Sequence, residues 1–242
     1  MKRNSVFMVM VFLLLKSLLG GNVPSGFAQE PQAAAAPDIY FERLAVAPVL
    51  VGQRQPNMDE TLDDTLSCPI DQICVDDPSI PSDAGPAMMR LVHSYLKGRY
   101  GPYVVSLDDV ETAYATIRLD GAKDTPRTLV NRLGKDLSAD LMMIGTVWRY
   151  RDHGAIEGFP DKPASVAFAL YLVEPYSGRL LWRGVFDESQ GFALDDMAKF
   201  STRIKMGFKW LSANELARHG VTEVFRPFPS TIKPLSRQKD SE

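Results

Sequence analysis

The sequence predicts an α/β fold: a single mixed-sheet sandwich with helices on both faces and an antiparallel three-strand meander in its second half. Residues 42–52 are a dense apolar and β-branched run ended by glycine, which predicts a buried strand. Segments with helical spacing follow, and three strand-like runs come after them. In the middle run, Val166 and Phe168 alternate with Ala167 and Ala169. Because both faces of that run are apolar, we expect helices on both sides of the sheet.

Three helices are predicted between the first strand and the meander. Residues 85–101 show helical spacing of apolar side chains between Pro86 and the closing glycine. A short strand, "YVVSLDDV", comes next, and Asp108 with Glu111 predicts the start of the second helix. "TP" at residues 125–126 predicts the start of the third helix, because proline suits the first helical position.

The second half of the chain predicts the meander and the terminal helices. Residues 139–152 begin apolar on both faces and end polar, as expected of a central strand that leaves its sheet. The run "ASVAFALYLVEPYSGRLLWRGVFDESQ" gives two further strands joined by a Pro-Tyr-Ser-Gly turn. Apolar spacing over residues 194–211 predicts a helix. Ser212 and Glu215 form a capping box for a last short helix, with Gly220 at its end.

Residues 1–28 are typical of a secretory signal peptide. Lys2 and Arg3 precede ten uninterrupted apolar residues, and small residues precede the expected cleavage after Ala28. An uncleaved anchor is the alternative, although Lys16 interrupts the apolar run well short of the roughly twenty residues that a span needs. We therefore expect a periplasmic protein. Its expected parts are a flexible linker (29–41), the sandwich domain (42–228) and a disordered tail (229–242).

The charge of the exported chain argues against two kinds of partner. The full chain has 27 basic and 30 acidic residues, and the signal segment contains three of the basic ones and no acid. The exported part is therefore acidic, which argues against non-specific binding of nucleic acid or of anionic lipid.

Residues 53–84 lack helical or strand periodicity and contain both cysteines. Loops of this length inside a domain are usually functional or held by a covalent link. Cys68 and Cys74 lack the two-residue spacing of a redox dithiol, and export places them in an oxidising compartment. We therefore predict a disulfide bond between them. A calcium site among the neighbouring acids is a weaker alternative, because the alternating Asp pattern of a calcium loop is missing.

No catalytic or metal-binding pattern is visible in the sequence. His93, His153 and His219 fall on three separate elements, and no pair has the spacing of a zinc motif. The first strand is not followed by a glycine-rich phosphate loop, and the chain lacks a Gly-x-Ser-x-Gly nucleophile elbow. We expect no enzyme activity, no metal and no cofactor.

Two loops form the candidate partner-binding surface. The loop at residues 151–163 joins two strands and is much longer than a tight hairpin requires. It combines charge with apolar side chains that are costly to leave in water, a combination that favours recognition of a partner. An alternative for Phe159 is that it folds back over the end of the sheet. The candidate residues are His153, Ile156, Glu157, Phe159 and Asp161 in this loop, and Asp71, Asp76 and Asp77 beside the cysteines.

The order of elements and three short motifs resemble a superfamily of bacterial envelope proteins. It includes the curli secretion protein CsgG, the penicillin-binding-protein activator LpoB and the N-terminal domain of TolB. The matching motifs are "LGKDLSAD" at residues 133–140, the Gly-Thr pair at residues 145–146, and the hairpin from Val173 to Trp182. The resemblance implies an α/β sandwich in the cell envelope that binds other proteins and carries no catalytic residue.

The resemblance also frames the expected function. It implies a role in secretion, envelope assembly or regulation of wall synthesis, through a protein partner whose identity the sequence does not give. The lipid-modified cysteine common in this group is missing near the expected cleavage site, which leaves only peripheral association with the outer membrane. The competing function class is a small-molecule or glycan binder, or an enzyme, with residues 53–84 as a lid. The sequence leaves the oligomeric state open.

Overall fold

The computed structural model describes residues 37–54, 70, 74–75, 78–119, 124–154, 163–189 and 211–235. The described helices are α1 (Ala84–Tyr100), α2 (Leu107–Thr116), α3 (Pro126–Asp136) and α4 (Ala213–Phe225). The described strands are β1 (Ile39–Phe41), β2 (Leu44–Val46), β3 (Leu50–Val51), β4 (Gln53–Arg54), β5 (Cys74–Val75), β6 (Leu141–Arg151), β7 (Ser165–Val173), β8 (Leu180–Ser189) and β9 (Ile232–Pro234). None of the described helices is both long and apolar enough to cross a membrane. The helix predicted at residues 194–211 lies almost entirely outside the described residues.

The main sheet is mixed and five-stranded, in the order β2-β6-β7-β8, with β3 also paired to β6. β2 and β3 run parallel to β6, whereas β6, β7 and β8 form an antiparallel meander. β7 is buried along its whole length, as its apolar pattern on both faces predicts. The predicted fold class is confirmed.

The first buried strand is divided in two. We predicted one strand over residues 42–52, but β2 and β3 pair with β6 on either side of Pro48. Val46 aligns with Met143 and Leu50 with Thr146, so the first strand contains one residue more than β6 over this interval. Proline has no N–H to donate to the ladder, which explains the break.

Helices α1 and α4 pack side by side on one face of the sheet. Gly220 of α4 lies against the ring of Phe186 in β8. Tyr95 of α1 stacks on Phe225 of α4, with the ring centroids 4.5 Å apart. The two helices therefore bury one another as well as the strands beneath them.

Helix α3 covers the opposite face. Its Gly134 lies against the side chain of Met142 in β6. The neighbouring Met143 aligns with Leu172 and, through it, with Trp182 on the face covered by α4. Because successive side chains of a strand point to opposite faces, Met142 and α3 lie on the other side of the sheet.

Two of the predicted helix starts are confirmed and one is wrong. Thr125 caps α3 and Ser212 forms a capping box with Glu215 at the start of α4. The cap of α2 is Ser106 and not Asp108, because the Ser106 hydroxyl accepts the N–H of Asp109. Asp108 lies instead in the first turn, where its negative charge interacts favourably with the positive end of the helix.

Three other boundaries differ from the prediction. The short strand expected at residues 103–110 is reduced to a single bridge between Leu44 and Val104. α4 does not end at Gly220 but continues to Phe225. Gly220 is needed for packing and not as a helix end, because a side chain there would meet Phe186. The linker and the tail both contain ordered residues, because β1 and β9 pair in parallel at residues 39–41 and 232–234.

Candidate functional site

Both candidate loops begin and end at one end of the main sheet. β3 runs parallel to β6, and the N–H of Gly52 donates to the carbonyl of Val147 at 2.9 Å. The chain after Gly52 therefore leaves in the direction in which β6 runs. It returns at the start of α1, where Gly85 lies against Val49 and Val51. The second loop, after Arg151, leaves from the end of β6 itself. We call this edge, at the carboxyl ends of β3 and β6, the loop end.

The strands on either side of the second loop are held firmly at the loop end. β7 begins there and β8 ends there, with Ser165 opposite Ser189. The two hydroxyl oxygens lie 2.7 Å apart in a hydrogen bond. β7 is buried along its whole length, and Tyr150, next to the last residue of β6, is also buried, so the strands on which the loop leaves and rejoins the sheet are packed firmly.

Helix α4 also begins at the loop end. The carboxylate Oδ1 of Asp152 accepts the N–H of Ala213 at 2.6 Å. Ser212 and Glu215 satisfy further N–H groups of the first turn. The negative charge of Asp152 lies at the positive end of the helix, which is the favourable arrangement. Asp152 therefore links the start of the loop to the helix beside it.

A β-bulge in β6 directs Tyr150 toward these helices. Val147 aligns with Phe168 but Arg149 aligns with Ala167, so Trp148 is an extra residue in the strand. The bulge moves Tyr150 to the face covered by α1 and α4, where it hydrogen-bonds to Asn214. Burial raises the pKa of the Tyr150 hydroxyl, against the smaller lowering effect of this hydrogen bond.

The same bulge places Arg149 on the opposite face. Its guanidinium forms an ion pair with Asp187 of β8. Without the extra residue, this cation would point into the apolar layer between the sheet and α4, where a buried charge is costly. The bulge thus determines which side chains of the loop end lie on each face. It was missed in the sequence because periodicity does not reveal a single inserted residue.

Of the predicted site residues, the structure describes the side chain of one. His153 lies half-buried at the start of the second loop, next to Asp152. The described residues contain no disulfide bond, but only the backbone of Cys74 is described, so the bond to Cys68 stays a prediction. The remaining candidates lie outside the described residues: Cys68, Asp71, Asp76, Asp77, Ile156, Glu157, Phe159 and Asp161.

The described residues also bear on the competing function class. Within the described ranges, no group of three or more His, Cys, Asp or Glu side chains is arranged to hold a metal ion. A groove of about 890 Å³ lies between α2 and the end of α3, with Arg43, Asp109 and Asp136 among its lining residues. It lies at the amino end of β6, away from the loop end.

No family model and no curated protein matches the chain. Among solved structures, the PelC dodecamer from Paraburkholderia phytofirmans is similar, with 12% identity and a TM-score of 0.40 over 78% of this chain and 89% of that one. Lipoprotein GNA1162 from Neisseria meningitidis has 16% identity and a TM-score of 0.39, over 68% and 92% of the two chains. The LpoB C-terminal domain from Escherichia coli has 11% identity and a TM-score of 0.36, over 65% and 90%. LpoB is one of the envelope proteins that the sequence resembles. Likeness this distant assigns no activity and no partner to this chain.

Proposed function

We propose that this chain is an exported, non-enzymatic protein of the cell envelope that binds a protein partner at the loop end of its sheet. The role would be in secretion, envelope assembly or regulation of wall synthesis, as the resemblance implies. The observation that carries the proposal is the common origin of the two candidate loops, since both leave from and return to the same edge.

The anchoring of the loop end supports recognition of a partner. Loops on a rigid scaffold are where proteins most often place binding residues. Here the second loop begins at Asp152, which is hydrogen-bonded to α4, and it is followed by Ser165, which is hydrogen-bonded to Ser189. A scaffold of this kind limits the conformational entropy that the loop loses when a partner binds.

The chemistry of the candidate residues indicates the kind of surface that fits them. Five are carboxylates, and Ile156 and Phe159 are apolar. Such a set is complementary to a protein surface with an apolar pocket inside a basic rim. Association should weaken as salt screens the charges, because exposed charges interact over a Debye length of about 8 Å at physiological ionic strength.

Purification of the chain from chemically crosslinked cells tests the proposal. We expect one envelope protein to be recovered with it, and we expect the amount to fall when crosslinking is done at high salt. Native mass spectrometry of the uncrosslinked chain is the companion measurement. Recovery of no specific protein, together with a bound small molecule in the mass spectrum, would contradict the proposal and favour the ligand-binding class.

A further inference from the structure

The edge strand β8 has a basic residue before an exposed valine and an acidic residue after it. Among the described residues, β8 pairs only with β7, so within this part of the chain its other side has unpaired backbone groups. Arg183 lies two residues before Val185 and Asp187 lies two residues after it. Their side chains therefore point to the same face of the sheet. All three are exposed, and Val185 is an apolar side chain with 39% of its surface in solvent.

We propose that two copies of this chain associate by antiparallel pairing of their β8 strands, with the two-fold axis at Val185. Val185 then faces Val185 of the partner subunit. Arg183 faces Asp187 of the partner subunit, and the symmetry repeats this pair on the other side of the axis. Opposite charges directly across an antiparallel pair are stabilising, and two β-branched side chains pack well between them. The open backbone edge gains hydrogen bonds along the paired strands.

The same charges select this register over its neighbours. An axis at Arg183 would place two guanidinium groups opposite each other, and an axis at Asp187 would do the same with two carboxylates. An axis at Gly184 or Phe186 would place a charge opposite Val185. Like charges directly across a strand pair are destabilising, and a charge beside an apolar residue gains nothing. Of these five axes, only the one at Val185 pairs each charge with its opposite.

The charges are available for pairing between copies. Among the described residues, Arg183 forms no ion pair, and its guanidinium lies 6.0 Å from the ring centroid of Tyr171. Asp187 uses Oδ1 for the ion pair with Arg149 of its own chain. Its second oxygen can accept from Arg183 of the partner subunit, because a carboxylate has several acceptor sites. Pairing at the edge strand is independent of the partner proposed for the loop end.

Charge reversal in two complementary variants tests this inference. We expect the chain, expressed from Met1 and purified in the form that the cells make, to dimerise in sedimentation experiments. Arg183→Asp and Asp187→Arg each create two like-charge pairs, so each should weaken self-association by about tenfold or more. An equimolar mixture should form a heterodimer, since its charges are complementary again. Restored association in the mixture distinguishes a strand pair from general loss of structure.

Asp187→Arg places a cation beside Arg149 and can therefore unfold the chain, which circular dichroism detects. A second pair of variants tests the inference in that case. Val185→Lys brings two ammonium groups to the axis and should abolish the dimer. Tyr176→Lys changes a more exposed side chain in the turn before β8 and should leave the dimer intact. A chain that is monomeric at every concentration, or that dimerises equally well with Val185→Lys, would overturn the inference.

Discussion

Gly220 allows α4 to lie directly on β8. A Cβ atom at this position would lie 2.6 Å from Cδ1 of Phe186, and the whole edge of that ring is close. Phe186 is buried and packs against Phe168, with ring centroids 5.4 Å apart, so it has little room to move. The glycine interpreted from sequence as a helix end is a packing residue in the helix interior.

Substitution of Gly220 by alanine should therefore destabilise the fold. We expect Gly220→Ala to lower the free energy of unfolding by about 1 to 3 kcal/mol through overpacking, in spite of the better helix propensity of alanine. Gly98→Ala in α1 is the matched control, because a Cβ there would meet nothing within 4 Å. It should raise stability by about 0.5 to 1 kcal/mol. Urea unfolding of both variants checks this, and equal stabilisation by the two would contradict the account.

Tyr150 makes the stability of the fold decrease with rising pH in the alkaline range. Burial raises its pKa, so the folded chain keeps the phenolic proton at pH values where the unfolded chain loses it. The resulting stabilisation is complete below about pH 10, the ordinary tyrosine value, and is lost as pH rises through the raised pKa. Tyr150→Phe should cost about 1 kcal/mol at pH 8 by losing the hydrogen bond to Asn214. It should also make the free energy of unfolding decline less steeply above pH 10. Denaturant unfolding at several pH values checks this, and the same decline in the variant as in the unaltered chain would argue against this role.

The predicted disulfide is testable on the exported chain. β4 and β5 pair in antiparallel fashion and bring Cys74 opposite Arg54, so the chain has already returned to this point before any covalent bond is considered. A bond between Cys68 and Cys74 should add roughly 2 kcal/mol on the chain-entropy model. We expect no thiol to react with an alkylating reagent until reductant is added. Two alkylated cysteines in unreduced periplasmic material would refute the bond.

At the scale of elements, strong local patterns predicted the structure best. The strands of the meander, the caps at Thr125 and Ser212 and the apolar middle strand β7 all follow from residue type and spacing. Their signals are local, and tertiary packing agrees with them.

Other features depend on contacts that no local pattern records. The bulge at Trp148 is detectable only in the register against β7. Pairing of β1 with β9 joins residues near the two ends of the chain, and three-residue strands give no periodic signal. The departure of the two candidate loops from the same end of the sheet likewise follows from the parallel pairing of β3 with β6, which no local pattern reveals.

The link between the second loop and α4 depends on Asp152. Asp152→Ala removes the acceptor for the N–H of Ala213, which should cost about 1 kcal/mol and loosen the first turn of α4. Arg151→Ala, a change of the exposed neighbouring side chain, is the control. Hydrogen exchange of the Ala213 amide should accelerate in the first variant and stay unchanged in the second. Equal exchange rates in both variants would show that Asp152 does not hold the helix.

At the scale of the whole molecule, the two proposals concern separate surfaces. We propose that the loop end binds a partner of different sequence and that the edge of β8 pairs with a second copy of itself. Tyr176 lies in the turn between β7 and β8, at the opposite end of the sheet from the loop end, and is 62% exposed. It is therefore a control position for both surfaces.

Photo-crosslinking in living cells tests the central claim most directly. A photoreactive amino acid is placed in turn at Phe159, at Asp76 and at Tyr176. We predict that the first two positions capture the same envelope protein, different from the chain itself, and that Tyr176 does not capture it. Capture of that protein equally well from Tyr176, or of unrelated proteins from Phe159 and Asp76, would contradict a binding site at the loop end.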